Sequence, residues 1–141
     1  MNLLFFLTPK TACAYVRTED SVRQALERME NVGFAALPIL SRDGKYAGTL
    51  TEGDLLRASK NLDMSDKRTV EKLGIMEISH RKDYTPVSVD TRMEDLMNKA
   101  VEQNFVPVVD DRDMFIGIVT RKAIMQYFMK QYMTNQTEPV A

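Results

Sequence analysis

Apolar positions along the chain change period several times, and each change marks an element. Val22, Ala25, Leu26 and Met29 fall at helical spacing. A helix is therefore predicted to begin near Asp20 or Ser21 and to end near Gly33, a residue suited to a left-handed C-terminal cap. AALPIL then reads as a strand, SRDG as a turn with Asp43 and Gly44 at its tip, and YAGTL as the returning strand of a hairpin. Thr51 opens a second helix, and a short strand at residues 15–17 precedes the whole set. The order then recurs. Thr91 and Glu94 form a capping-box pattern, with Met93, Leu96, Met97, Ala100 and Val101 on one helical face. FVPVV, DDRD and MFIGIV repeat the hairpin.

The two halves match residue by residue. Pro38, Ile39, Leu40, Gly48 and Thr51 correspond to Pro107, Val108, Val109, Gly117 and Thr120 at one common offset, and Val16, Val22 and Leu26 correspond to Val87, Met93 and Met97 at an offset two residues larger. A copy extends over roughly 45 residues, a length at which internal similarity means one supersecondary unit used more than once. The unit is strand, helix, strand, strand, helix. A sheet this small cannot bury both faces alone, so the copies are predicted to pack against each other.

Composition narrows the function classes. The chain has 141 residues, 44% hydrophobic and 28% charged, with a net charge of -1. That is ordinary globular material with no global attraction to nucleic acid. One cysteine, Cys13, excludes an internal disulfide and suits a reducing cytoplasm. Cys13 and His80 are too few to build a zinc site. His80 reads as a solvated loop residue, since no nucleophile or carboxylate pair accompanies it. The N-terminal run NLLFFL is too short to span a bilayer and lacks the flanks of a signal peptide. It reads as an apolar segment packed on the body or on a second subunit. No motif for a catalytic centre is present, so no enzyme is expected.

The chemistry concentrates in the two strand-to-helix turns, GTLTEGDLL and GIVTRKAIM. The first carries Glu52 and Asp54; the second carries Arg121 and Lys122, with Ala123 where Asp54 stands. Thr51 and Asp54 satisfy a capping-box template that needs no ligand. Arg121 and Lys122 stand in a first helical turn, where the helix dipole favours anions. They form either a phosphate cradle with the exposed N–H groups or a pair of cations turned to solvent or to acids of the other copy.

These elements, the proline inside each middle strand and the Gly-apolar-apolar-Thr turn resemble the CBS domain, the module named after cystathionine beta-synthase. The resemblance covers nearly the whole chain as a tandem pair and implies an α+β/α/β fold of two repeats packed through their small sheets with pseudo-two-fold symmetry. Repeat 1 is expected at residues 8–59, a connector at 60–83, repeat 2 at 84–133 and a disordered tail at 134–141. It also implies a homodimer and an adenine nucleotide, either AMP, ADP or ATP or cyclic di-AMP, held between the repeats.

Length and the basic second turn further resemble small stand-alone CBS proteins that bind cyclic di-AMP. By that resemblance one cleft is formed by Lys10, Ala12, Cys13, Phe34, Ala35 and Pro38 with Thr120, Arg121 and Lys122. Cys13 and Ala35 stand where those relatives carry histidine and threonine. A second cleft is formed by Thr51, Asp54, Tyr84, Thr85, Pro86, Phe105 and Val106, with Asp54 receiving ribose hydroxyls. The implied role is regulatory and cytoplasmic, with an unidentified target protein and neither nucleic acid nor membrane as partner; the alternative is a structural or dimerisation module without a ligand. The cluster of Tyr127, Phe128 and Tyr132 adds to the expectation of a homodimer.

Overall fold

The computed structural model describes residues 2–60, 66–78 and 84–137. The first repeat contains β2 (Val16–Arg17), α1 (Val22–Val32), β3 (Ala36–Leu40), β4 (Tyr46–Thr51) and α2 (Glu52–Ser59), following a two-residue strand, β1 (Thr8–Pro9). After α3 (Lys67–Lys72), the second repeat contains β5 (Val87–Ser88), α4 (Met93–Glu102), β6 (Phe105–Val109), β7 (Phe115–Thr120) and α5 (Arg121–Thr137).

Local sequence explains most of the boundaries. Ser21 and Gln24 form a reciprocal capping box, with bonds of 3.1 and 2.8 Å between side chain and backbone. Gly33 ends α1 at φ 72, and its N–H bonds to the Met29 carbonyl. The second repeat differs at both ends of its first helix. Arg92, not Thr91, is the N-cap of α4 and makes no side-chain cap bond. The expected Thr91–Glu94 capping box is absent because the Thr91 hydroxyl instead accepts the Ser88 N–H at 3.1 Å, closing the turn after β5. At the far end, α4 stops at an extended Gln103 without a left-handed residue.

The two sheets share a register. Leu37 faces Leu50 and Ile39 faces Gly48 in the first; Val106 faces Val119 and Val108 faces Gly117 in the second. Each hairpin shifts register at the same place, between Ile39 and Leu40 and between Val108 and Val109. The shift falls beside Gly48 and Gly117, whose φ of 148 and 154 favour glycine.

Each repeat has its own core. Val16, Val22, Leu37, Ile39 and Leu50 centre the first, and Leu96, Val106, Val108 and Val119 the second. The hairpin tips join the halves: Gly44 accepts the Phe115 N–H at 3.0 Å, and the Tyr46 hydroxyl donates to the Tyr84 carbonyl at 3.2 Å.

The N-terminal segment ties these halves together. Thr8 and Pro9, expected to open repeat 1, pair antiparallel with Ile118 and Gly117, giving sheet orders β1-β7-β6-β5 and β2-β3-β4. A Cβ on Gly117 would lie 2.2 Å from the Thr8 carbonyl oxygen, so glycine there is what lets β1 lie down. Leu3 and Phe6 of the apolar N-terminal run are buried in the second core, and Phe5 and Phe6 stack edge-on against Tyr127 at 5.5 and 5.3 Å. Part of the surface expected to drive dimerisation is thus covered within the chain.

Two further expectations change. Ile75 and Ile78, inside the expected connector, belong to the first core. Helix α5 runs through Thr137, into the expected tail. Residues 61–65, 79–83 with His80, and 138–141 lie outside the described residues.

Candidate functional site

A cleft of about 400 Å³ opens between the repeats. Thr8, Ala12, Cys13 and Ala14 form one wall, where the N-terminal segment crosses from the second sheet to the first. Phe34, Ala35, Ala36, Leu37 and Pro38 enter from the start of β3, and Asn104, Phe105, Ile118 and Thr120 from the equivalent corner of the second repeat. The small side chains at 12, 14, 35 and 36 keep the walls apart. Phe34 is 57% exposed, an unusual surface position for a phenylalanine, and offers a face on which a planar group can stack.

The cleft gathers Ala12, Cys13, Phe34, Ala35, Pro38 and Thr120 as the sequence led us to expect. The cations expected with them are elsewhere. Lys10 has its ammonium 5.8 Å from the centre of the Tyr15 ring. Arg121 turns toward α4, donating from Nε to the Ala100 carbonyl at 2.7 Å and from a terminal nitrogen to the Val101 carbonyl at 3.1 Å. These are the unsatisfied carbonyls of the last turn of α4, which welcome a cation. In this structure the Arg121 side chain serves as a C-cap of α4. Lys122 is exposed and does not line the cleft.

Cys13 is half-buried, and its thiol donates to the Thr8 and Pro9 carbonyls at 3.4 and 3.3 Å. Burial pushes its pKa above the ordinary thiol value, so it faces the cleft as a neutral thiol and not as a nucleophile. Thr120 caps α5, its hydroxyl accepting the Ala123 N–H at 3.0 Å; its own O–H remains a donor for the cleft.

The residues expected in the second cleft are used differently. Asp54 has no exposed surface; its carboxylate accepts the Thr51 N–H at 2.9 Å and is paired with Arg57. Thr51 returns the bond, accepting the Asp54 N–H at 3.1 Å. The ribose role expected for Asp54 meets a carboxylate already engaged by its own helix. Val106 is fully buried in the second core, and Phe105 lines the first cleft, its ring 5.2 Å from that of Tyr84. Thr85 and Pro86 are exposed. Thr85 is held by the buried amide of Gln103, which accepts its N–H at 3.2 Å and donates to the carbonyls of Thr85 and Phe105.

Sequence reasoning missed Thr8, Ala14, Ala36, Leu37, Asn104 and Ile118 as lining residues. Ile118 could have been found from its place opposite Pro107 in the repeated hairpin. Thr8 could not, because two residues of strand leave no periodic signal. Among the described residues no three metal-ligating side chains cluster, and no helix is long and apolar enough to cross a membrane.

A CBS-domain family model matches residues 7–61 and 75–130. The chain belongs to this family, as two CBS repeats. It is 31% identical over 113 residues to cystathionine beta-synthase of Dictyostelium discoideum, covering 79% of this chain and 22% of that enzyme. It is 25% identical over 111 residues to inosine-5'-monophosphate dehydrogenase of Methanocaldococcus jannaschii, covering 79% of this chain and 21% of the enzyme. The chain thus spans about a fifth of the length of these relatives. Among solved structures, Listeria monocytogenes CbpB in complex with cyclic di-AMP superposes with a TM-score of 0.81 at 21% identity, covering 94% of this chain and 97% of that one. CBSX2 in complex with AMP superposes at 0.74 with 25% identity, covering 93% and 98%.

Proposed function

We propose that this chain is a regulatory module that binds an adenine nucleotide in the cleft between its repeats and passes the bound state to a target protein as a cytoplasmic homodimer. The observation that carries the reading is the cleft itself, which requires both repeats and the crossing N-terminal segment, so filling it changes how the halves are held. Its apolar walls suit a nucleobase, with Phe34 as the stacking platform and Thr8, Asn104 and Thr120 as polar contacts. Solved relatives of the same fold hold cyclic di-AMP or AMP. A base and its sugar fit within a volume of this size.

A second reading, a structural module without a ligand, draws on the two turns: Asp54 and Arg121 both serve as helix caps. Calorimetric titration with AMP, ATP and cyclic di-AMP separates the two. The regulatory reading expects saturable binding by at least one of them, weakened by about 1–3 kcal/mol in Phe34→Ala through lost stacking. Absence of heat with all three at millimolar nucleotide supports the structural reading.

A further inference from the structure

Asn104 lines the cleft from the second repeat, and the fold around it uses its backbone alone. Its carbonyl accepts the Arg121 N–H at 3.1 Å, and its N–H donates to the Tyr84 hydroxyl at 3.4 Å. Its side-chain amide makes no hydrogen bond among the described residues. Counted from the matched prolines, Ala35 holds the same place in the first repeat, where its carbonyl likewise accepts the first N–H of the next helix, that of Glu52, at 2.9 Å. This corner therefore asks only for a carbonyl, and alanine supplies it. Asparagine is also favoured where the chain turns left-handed, yet among the described non-glycine residues that conformation belongs to Asp113 and not to Asn104. The amide is left without a structural task, at the wall of a cleft.

No charged side chain lines that cleft among the described residues, so telling one base from another falls to its few polar groups. Thr8 and Thr120 end in hydroxyls, which rotate to serve a donor or an acceptor alike. The Cys13 thiol is directed at the Thr8 and Pro9 carbonyls. Among the lining side chains Asn104 alone carries a donor and an acceptor side by side in one plane.

We infer that Asn104 reads the edge of the bound base, its amide oxygen accepting the N6 amine of adenine while its NH2 donates to N7, and so sets a preference for adenine over guanine. This is the bidentate pairing to which an asparagine amide is suited. The inference rests on the nucleotide reading proposed above and adds the residue that selects the base. Guanine presents two acceptors on the same edge, O6 and N7, and one amide cannot serve both in either orientation. Stacking on Phe34 tolerates any base, so it does not supply the preference. The base is held by its face from the first repeat and by its edge from the second.

The test is calorimetric titration of the full chain and its Asn104→Ala variant with AMP, GMP and 7-deaza-AMP, which has a C–H in place of N7. Cyclic di-AMP and cyclic di-GMP are titrated alongside. The parent is expected to prefer adenine to guanine, and AMP to 7-deaza-AMP, by about five- to tenfold each, the low end for a bidentate contact because Asn104 is exposed. Asn104→Ala should lose AMP affinity by a similar factor, lose little affinity for GMP and 7-deaza-AMP, and so bring the three together. Asn104→Asp keeps the shape and sets a carboxylate oxygen against N7; it should weaken AMP at least as much. Equal AMP affinity in parent and variants, or an equal loss for all three ligands, overturns the assignment and leaves nucleotide binding standing. A large fall in the urea midpoint of Asn104→Ala would make the residue structural and overturn it as well. Absence of heat from AMP, ATP and cyclic di-AMP with the parent overturns the nucleotide reading itself, and this inference with it.

Discussion

The strand-to-helix turns at Thr51 and Thr120 share a backbone and use their side chains for different helices. In the first, Thr51 and Asp54 cap α2 reciprocally, and α1 ends on its own left-handed glycine, whose N–H reaches the Met29 carbonyl. In the second, Thr120 caps α5 without a reciprocal acid, and α4 has no glycine at its end. The carbonyl of Ala100, equivalent to that of Met29, receives the Arg121 guanidinium instead. The reversal of charge between the turns therefore follows a change at a distant helix end, where the first copy has Gly33 and the second Asn104. A repeated motif keeps its fold because each orphan group finds some donor, and which donor it finds is free to drift between copies.

The largest break in that comparison is expected at Asp54. Replacing it with asparagine removes a buried charge-assisted acceptor from Thr51 and Arg57 and should cost about 2 kcal/mol, read as a lower urea midpoint with an unchanged slope. Retained stability would mean that Arg57 and the cap contribute nothing net.

Arg121→Ala should cost about 1 kcal/mol through two uncapped carbonyls, and Arg121→Glu more, because a carboxylate would then face the negative end of α4. Considered only as the first turn of α5, the same glutamate would leave stability level or raise it, so the sign of the change identifies which helix the side chain serves. Nucleotide affinity measured on the same variants should hold; a large loss with no stability change would return Arg121 to the phosphate role.

An effect confined to alkaline pH, and absent at neutral pH, concerns Tyr46, whose equivalent in the second repeat is Phe115. Burial pushes the Tyr46 phenol up to about 12 from 10.0, against the smaller opposing effect of its 2.7 Å bond with Thr49. The folded state thus holds a proton that the unfolded chain has released. Stability from this group is complete below about pH 10 and is lost as pH rises through 12. Tyr46→Phe should flatten that alkaline decline in unfolding titrations, and an unaltered pH profile would assign the decline to other groups.

Much of this architecture is legible in the chain. The Ser21, Gly33 and Thr51 signals act within a few residues of one another, so local sequence carries them, and the matched prolines and glycines reveal the repeated hairpin. Six of the nine residues expected in the first cleft do line it, because strand ends fix their location. Where the others sit depends on partners that lie across the fold. Arg121 reads as a phosphate ligand until α4 is packed beside it, and the missing glycine at Asn104 was the available clue. Asp54 fits both a ribose contact and a cap, and in this structure it caps its own helix, fully buried beside Arg57. Lys10 is drawn to Tyr15 by a contact that no spacing rule announces.

The pairing of β1 with β7 also constrains how the molecule can be made. Thr8 leaves the ribosome well before Ile118, yet they are neighbours in one sheet. The second half cannot close until β7 has been made, and until then Leu3 and Phe6 have no core to enter. Such a contact, spanning most of the sequence, raises contact order and slows the final step. It also means that cutting the chain between its repeats would separate the second sheet from its edge strand rather than release two finished modules.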